Sequence, residues 1–225
     1  MGEAIGFSFI YSGNFRIQAE VDTHDITRIT VGINPDGFDW ELEPGESFQT
    51  PEAVMVYSDN GLNEMSQTFH KLYAKRLARG YWRDRSRPIL NNNWEATYFD
   101  AFFAIFTEDR LVKIAKKAKE CGIELFVLDD GWFGNRRSDR SGLGDWIVNK
   151  KLLPNGIEGL AERIEELGMQ FGLWIEPEMI NKDSNLYRQH PDWILQTPGR
   201  TESHGRYQYV LDFSRREIVD YIYTM

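Results

Sequence analysis

Polar and apolar positions change rhythm twice along this chain. In residues 6–11, 14–21, 27–33, 41–48 and 53–58 they alternate in short segments. Turn-forming runs separate these segments: Ser12-Gly13-Asn14, Asn34-Pro35-Asp36-Gly37 and Glu43-Pro44-Gly45-Glu46. Short alternating segments broken by Gly, Pro and Asn predict antiparallel strands, each with one face buried. Five strands are few for a closed sandwich and the first lies almost at the start, so residues 1–58 read as the C-terminal part of an antiparallel β-sandwich domain. From residue 60 to Gly80 the period lengthens: Leu62, Met65, Phe69, Leu72, Tyr73, Arg76 and Leu77 recur at helical spacing. Gly80 stands where a C-terminal cap belongs. Residues 59–88 are therefore a linker helix and the approach to a second domain.

Beyond Ile89 strand-like and helix-like segments take turns. A strand at Ile89-Leu90 is followed by a helix from Thr107 to about Glu120, with Glu108 and Asp109 in its first turn and Gly122 ending it. Next come a strand over 124–129, a loop of roughly twenty-five residues, a helix over 157–167 stopped by Gly168, and a strand over 170–176. A short helix over 184–188, a strand over 207–212 and a helix from Ser214 complete the order. Such βαβα alternation predicts a parallel sheet with right-handed crossovers, and long loops after the strands favour a (β/α)8 TIM barrel over an open doubly wound sheet. About 136 residues follow Ile89, whereas a full barrel takes ~250. The expected fold class is thus α/β, with residues 89–225 the N-terminal half of a barrel and the chain a piece of a longer protein. The open edge of such a half-barrel would be prone to aggregate.

The strand that ends in Leu125-Phe126-Val127-Leu128-Asp129-Asp130-Gly131-Trp132-Phe133 draws attention to one place. Four apolar residues followed by two carboxylates suit a buried parallel strand whose carboxyl end opens on a ligand. Trp94 and Glu95, Asp129, Asp130 and Trp132, and Trp174 and Glu176 stand at the ends of successive strands, and Arg206 precedes the next. Carboxylates accept from sugar hydroxyls, indole faces stack on the C–H face of a pyranose, and a guanidinium adds fixed donors, so this is the composition of a carbohydrate site.

Composition narrows the picture further. The 225 residues are 41% hydrophobic and 14% aromatic, enough for a sizeable core, and the net charge of -9 argues against nucleic acid, which requires clustered Lys and Arg. The basic run from Lys113 to Lys119 reads as the solvated face of a helix. A single cysteine, Cys121, excludes an internal disulfide framework and a multi-cysteine zinc site, fits a reducing cytoplasm, and reads as a small buried filler. No run of ~18 apolar residues is present, so no membrane span is expected, and Met1-Gly2-Glu3-Ala4 does not begin a secretory signal. His190 and His204 are too isolated for a metal site, and no metal or other cofactor is expected. Glu176-Pro177-Glu178 reads as caps or supporting groups, because neighbours at a strand end point in different directions. The stretch from Gly131 to Gly144, with Arg136, Arg137 and Arg140 around Asp139, reads as a solvated loop.

Several ordered motifs resemble the bacterial α-galactosidases of glycoside hydrolase family 36. They are Asn92-Asn93-Trp94-Glu95-Ala96-Thr97-Tyr98-Phe99, Leu128-Asp129-Asp130-Gly131-Trp132-Phe133-Gly134, Leu143-Gly144-Asp145-Trp146, Gly172-Leu173-Trp174-Ile175-Glu176-Pro177-Glu178-Met179 and His190-Pro191-Asp192-Trp193. Tyr11-Ser12-Gly13-Asn14-Phe15 and Gly32-Ile33-Asn34-Pro35 extend the likeness into the β-rich zone.

The resemblance implies a β-sandwich before a (β/α)8 barrel and retaining hydrolysis of terminal α-galactose from oligosaccharides such as melibiose and raffinose. It implies that Asp129 and Asp130 bind galactose hydroxyls, that Trp94 and Trp174 line the sugar pocket and that Arg206 is a further pocket residue. In that family the nucleophile is the aspartate of a Lys-Trp-Asp strand and the acid/base lies later. Neither motif occurs here, so both catalytic carboxyls are expected beyond Met225 and the isolated chain is expected to be inactive. Asp145, in a loop motif, and Asp212, in a pre-helical turn, are poor substitutes. Two other readings stand beside this one: a non-catalytic carbohydrate-binding fragment, and a galactosyl transferase or α-N-acetylgalactosaminidase on the same scaffold. The expected partners are α-galactoside oligosaccharides, and the acidic surface permits a homo-oligomer.

Overall fold

The period-two alternation of the first zone becomes two antiparallel ribbons. In the computed structural model, which describes residues 2–97 and 107–225, strand β1 (Ala4–Ile10) pairs with β4 (Glu52–Ser58), and β2 (Phe15–Val21) with β3 (Thr27–Ile33). Helix α1 (Leu62–Leu72) lies on the first ribbon. Gly6 makes that approach possible, since a Cβ there would sit 2.6 Å from Met65 Sδ and from Phe69 Cε2. The helix continues as one π-turn over Tyr73–Leu77, whose Tyr73 hydroxyl donates to Ser8 Oγ at 2.8 Å. It ends at Leu77 rather than at Gly80, which serves the following turn by accepting from Arg83 N–H. The strand expected over 41–48 is absent. Pro44 and Gly45 (φ +91°) close a turn from Glu43 to Glu46 there, and the apolar positions meet as a ring contact between Trp40 and Phe48 instead of a ladder.

These elements form one structural unit, Met1–Ser86, and Arg87–Met225 forms a second. In the second, β5 (Leu90–Asn92), β6 (Leu125–Leu128) and β7 (Gln170–Leu173) make a parallel sheet in sequence order. Helix α2 (Glu108–Glu120) leads into β6, and α3 (Gly156–Glu165) into β7. Thr107 starts α2 by accepting the Arg110 N–H, which relieves one of the unpaired amides of a helix start.

One face of the sheet is sealed. Phe126 and Leu128 pack with Leu111 and Ala115 of α2 and Leu160 and Ile164 of α3, all fully buried. Each of these leucine, isoleucine and phenylalanine side chains contributes about 1.5–3 kcal/mol by leaving water. The opposite face carries Leu125, Val127 and Gly172, only partly covered by the described residues, and the absent Gly172 side chain leaves room for the Val127 methyl, 3.1 Å from where a Cβ would lie.

The two helices are also joined by charge. Glu108, 4% exposed, accepts from Arg163 at 2.7 Å and from Asn155 at 3.1 Å, while Arg163 reaches Asp109 at 2.8 Å. Burial pushes the Glu108 carboxyl upward, but the Arg163 and Asn155 hydrogen bonds outweigh it and hold the group below the ordinary glutamate value. A folded-state pKa below the unfolded one means stabilisation present above the unfolded pKa and lost as the pH falls through the folded one. Glu108→Gln is therefore expected to cost about 1–3 kcal/mol at neutral pH and to flatten the acid limb of stability against pH. Urea unfolding from pH 7 down to pH 3 measures this, and an unchanged acid limb would refute it.

The segment over 207–212 departs from expectation. Strand β9 (Gln208–Val210) runs antiparallel to β8 (Met179–Asn181) instead of adding a fourth parallel strand. Its apolar neighbours explain this: Ile180, Leu186, Trp193, Ile194, Leu211 and Ile218 form a core separate from that under β6. Helices α4 (Asn185–Gln189), capped by Ser184, and α5 (Arg216–Thr224) contribute Leu186 and Ile218 to it. Cys121 also differs from its reading as buried filler. It is the C-terminal cap residue of α2, one step past the packed face, and is exposed. Lys113, Lys116, Lys117 and Lys119 lie in solvent as expected. No helix among the described residues is long and apolar enough to cross a membrane.

A cleft at the carboxyl ends of the parallel strands

Each parallel strand delivers polar or aromatic groups to one cleft of about 440 Å³. Trp94, Asp129, Asp130, Trp174 and Arg206, the five residues singled out from the sequence, all line it. Glu95 and Glu176 join them, and so do Asn92, Arg136 and Gln208, which sequence reasoning did not single out.

Asp129 is fixed from three sides. Its N–H donates to Asn93 Oδ1 at 2.8 Å, its Oδ2 accepts from Asn92 Nδ2, and its Oδ1 accepts the Asp130 N–H at 2.7 Å. Of the two asparagines at the end of β5, Asn92 thus holds the Asp129 carboxylate and Asn93 its backbone amide. Asn92 Oδ1 also takes the Trp94 N–H at 2.7 Å, starting the helical turn that presents Trp94.

Asp130 is gripped differently. Arg136 donates to it from Nε at 2.9 and 3.1 Å and from Nη2 at 2.7 Å, the planar fork that matches a carboxylate. The same guanidinium donates from Nη1 to Ser141 O and to Asn181 Oδ1, each at 3.1 Å. Arg136 is only 2% exposed. The loop read as solvated is therefore the buried wall of the cleft at this residue, while Arg137 and Arg140 do face water. Two adjacent aspartates at a strand end call for a nearby cation, and that demand was the signal available in the sequence. Gly142 (φ +80°) lets the loop close over Arg136, since a Cβ there would lie 2.8 Å from the Arg136 nitrogen.

Behind Trp174 stands an aromatic stack. The Trp132 Nε1–H donates to Trp174 O at 3.0 Å, and Trp146 meets Phe133 at 4.4 Å and Trp174 at 6.2 Å between ring centres. Trp132 is 4% exposed and belongs to this backing, not to the cleft lining. Asp145 caps α4 by accepting from Asn185 and Leu186 N–H, and Asp212 holds the turn before α5 by accepting from Ser214. Both are thus committed to the backbone.

Arg206 reaches the cleft from a two-residue hairpin turn. Gly205 and Gln208 exchange N–H···O bonds at 3.2 and 2.9 Å, and Arg206 (φ +52°) and Tyr207 (φ +62°) are both left-handed, as a type I′ turn requires. Side chains at such angles cost about 1–2 kcal/mol per residue. Tyr207 is held by the Arg140 guanidinium, 3.9 Å over its ring, and by the stacked His204. His190 stacks on Trp193 at 4.0 Å. Among the described residues no group of three or more His, Cys, Asp and Glu could hold a metal ion.

The acidity of Glu176 is displaced by its place in the cleft. Burial raises its pKa most, the Glu178 and Asp130 charges raise it further, and Arg136 and Arg206 pull it back. The cleft therefore offers clamped carboxylates, one more readily protonated acid, a guanidinium and two indoles.

Comparison with known proteins follows this geometry. A Melibiase family model matches residues 47–225, and a model of the glycosyl hydrolase family 36 N-terminal domain matches residues 1–43. The chain is 63% identical to alpha-galactosidase AgaA of Geobacillus stearothermophilus over 98% of its own length, and 52% identical to alpha-galactosidase Mel36A of Lactobacillus acidophilus over 99%. It spans 30% of the length of each. The crystal structure of GH36 alpha-galactosidase AgaB from Geobacillus stearothermophilus superposes with a TM-score of 0.90 at 65% identity, covering 98% of this chain and 30% of that one. A crystal structure of an AgaA variant in complex with raffinose superposes with a TM-score of 0.91 at 63% identity, with the same coverage.

Proposed function

Because this chain belongs to the Melibiase family, we propose that it supplies the galactose-gripping wall of an α-galactosidase acting on terminal α-galactose of oligosaccharides such as melibiose and raffinose. The convergence of Trp94, Asp129, Asp130, Trp174 and Arg206 on one cleft carries this reading. In it, Asp129 and Asp130 accept sugar hydroxyls, the indoles of Trp94 and Trp174 face the pyranose, and Arg206 donates to a ring substituent. The AgaA variant solved with raffinose, a relative at 63% identity, supports the substrate class.

The reading includes the architecture. Residues 89–225 are the first part of a (β/α)8 barrel, whose interior the half-covered face of β6 and β7 would line, and residues 1–58 are the end of a β-sandwich, joined by 59–88. The single cysteine suits a cytoplasmic setting.

Retaining hydrolysis needs two carboxyls ~5 Å apart, one attacking the anomeric carbon and the other protonating the leaving oxygen. Asp129 and Asp130 cannot supply both. They leave one short backbone segment side by side, and Asp130 is already tied to Arg136. Their work is to hold the sugar, and the nucleophile and acid/base belong to residues beyond Met225.

The purified chain is accordingly expected to release no p-nitrophenol from its α-galactoside, yet to bind galactose weakly. Asp129→Asn should lower that affinity by about tenfold or more, the loss of a charge-assisted hydrogen bond. Titration followed by NMR suits weak binding. Turnover abolished by Asp129→Asn would overturn the placing of the catalytic carboxyls, and galactose binding indifferent to Asp129 would overturn the sugar wall. Tight binding by the isolated chain would favour the independent carbohydrate-binding reading.

A further inference from the structure

Asn181 lies outside the cleft lining, yet it touches both of the cleft's arms. It is the last residue of β8 and is fully buried. Its Oδ1 accepts from Arg136 Nη1 at 3.1 Å and from Leu143 N–H at 3.0 Å. Its Nδ2 donates to Asp139 O at 3.1 Å and to Tyr207 O at 2.9 Å. The backbone is engaged too, with the N–H donating to Leu143 O at 3.0 Å and the carbonyl accepting from Ser184 Oγ at 2.8 Å.

Two donors on one side and two carbonyls on the other fix the amide's orientation, because a flipped amide would face donors with donors. No other neutral side chain of this size offers two acceptor sites and two donors in one plane. One arm of the contact leads through Arg136 to Asp130. The other leads through the Tyr207 carbonyl to the turn that carries Arg206, a turn whose left-handed residues need an external hold.

We propose that Asn181 is a positioning residue that sets Arg206 and Asp130 relative to each other across the cleft. The proposal rests on the sugar-binding reading for its purpose, but its structural content can be tested without a sugar. Asn181→Asp keeps the acceptor for Arg136 and Leu143 and removes the donors to Tyr207 O and Asp139 O, so it frees the Arg206 turn and the loop carbonyl at Asp139 while leaving the Arg136 and Leu143 contacts in place. Asn181→Leu removes both arms.

Amide hydrogen exchange on the full chain reads each arm, with Gln208 N–H reporting the turn and Leu143 N–H the loop. Asn181→Asp should speed Gln208 exchange about tenfold, one lost hydrogen bond, and leave Leu143 protected. Asn181→Leu should speed both. A residue that merely filled the core would raise exchange throughout the unit, and that pattern, or unchanged exchange at Gln208, would overturn the proposal.

Galactose binding adds a coupling test. Asn181→Asp should lower affinity severalfold in the otherwise native chain and change nothing further in an Arg206→Ala background, since neighbours acting through one group are not additive. Fully additive losses would overturn the link to Arg206. If the native chain binds no galactose, the sugar-wall reading fails and the exchange data alone decide the role of Asn181.

Discussion

Arg136→Met is expected to destabilise the second structural unit by about 3–5 kcal/mol, the cost of leaving a buried charge without its partner. The Asp130 carboxylate is 5% exposed and takes three contacts from the Arg136 guanidinium. Methionine matches the arginine stem in bulk but offers no donor, so Asp130 loses two donors and Ser141 O and Asn181 Oδ1 lose one each. Replacing both charges, Arg136→Met with Asp130→Leu, should recover much of the loss, because an apolar pair pays no desolvation penalty. Urea unfolding of the native chain and of these two variants at pH 7 gives the comparison. A single Arg136→Met change within ~0.5 kcal/mol of the native chain, typical of a surface substitution, would show that water reaches the pair.

Phe126→Ala should cost a similar amount, about 3–5 kcal/mol, through lost burial and the cavity left behind. Phe126 is fully buried on the sealed face of the sheet, in register with Phe171 of β7 and packed with residues of both crossover helices. Val127, its neighbour on the half-covered face, is the control, and Val127→Ala should cost about half as much or less. Equal losses at the two positions would mean that the two faces are equally packed. The effect should reach the cleft, since Asp129 follows Phe126 by three residues on the same strand end.

Much of this architecture could be read from residue order. Alternation alone placed β3 at its observed ends, the apolar run marked β6, and the helices read from Thr107 and from residue 184 start there, each capped by the hydroxyl of its first residue. Four of the cleft residues were legible for a related reason: Trp94, Asp129, Asp130 and Trp174 stand at the ends of successive parallel strands, which put their carboxyl ends together, whereas Arg206 arrives on the turn before an antiparallel strand.

What stayed hidden depends on contacts between distant segments. Strand β8 has three residues, too few for any period, and its partner β9 lies twenty-seven positions on in register, Asn181 opposite Gln208. Residues 41–48 alternate as a strand would, but no neighbour among the described residues completes a ladder for them. Arg136 sits among charges that look solvated, and only the folded loop reveals that one of three nearby arginines turns inward to Asp130. Asn181, an unremarkable asparagine in sequence, matters because of four partners spread from residue 136 to residue 207.

The type I′ turn beneath Arg206 makes the two walls of the cleft unequal in what it costs to hold them in place. The aspartate wall stands on a sheet strand, with buried partners on every side, and opens only when the core does. The arginine wall closes against its own backbone preference, so the penalty of about 1–2 kcal/mol at each left-handed residue is subtracted from whatever holds it shut. Local opening is cheapest where such deductions accumulate. A ligand entering the cleft would therefore find one side already in place and would spend part of its binding energy quieting the other.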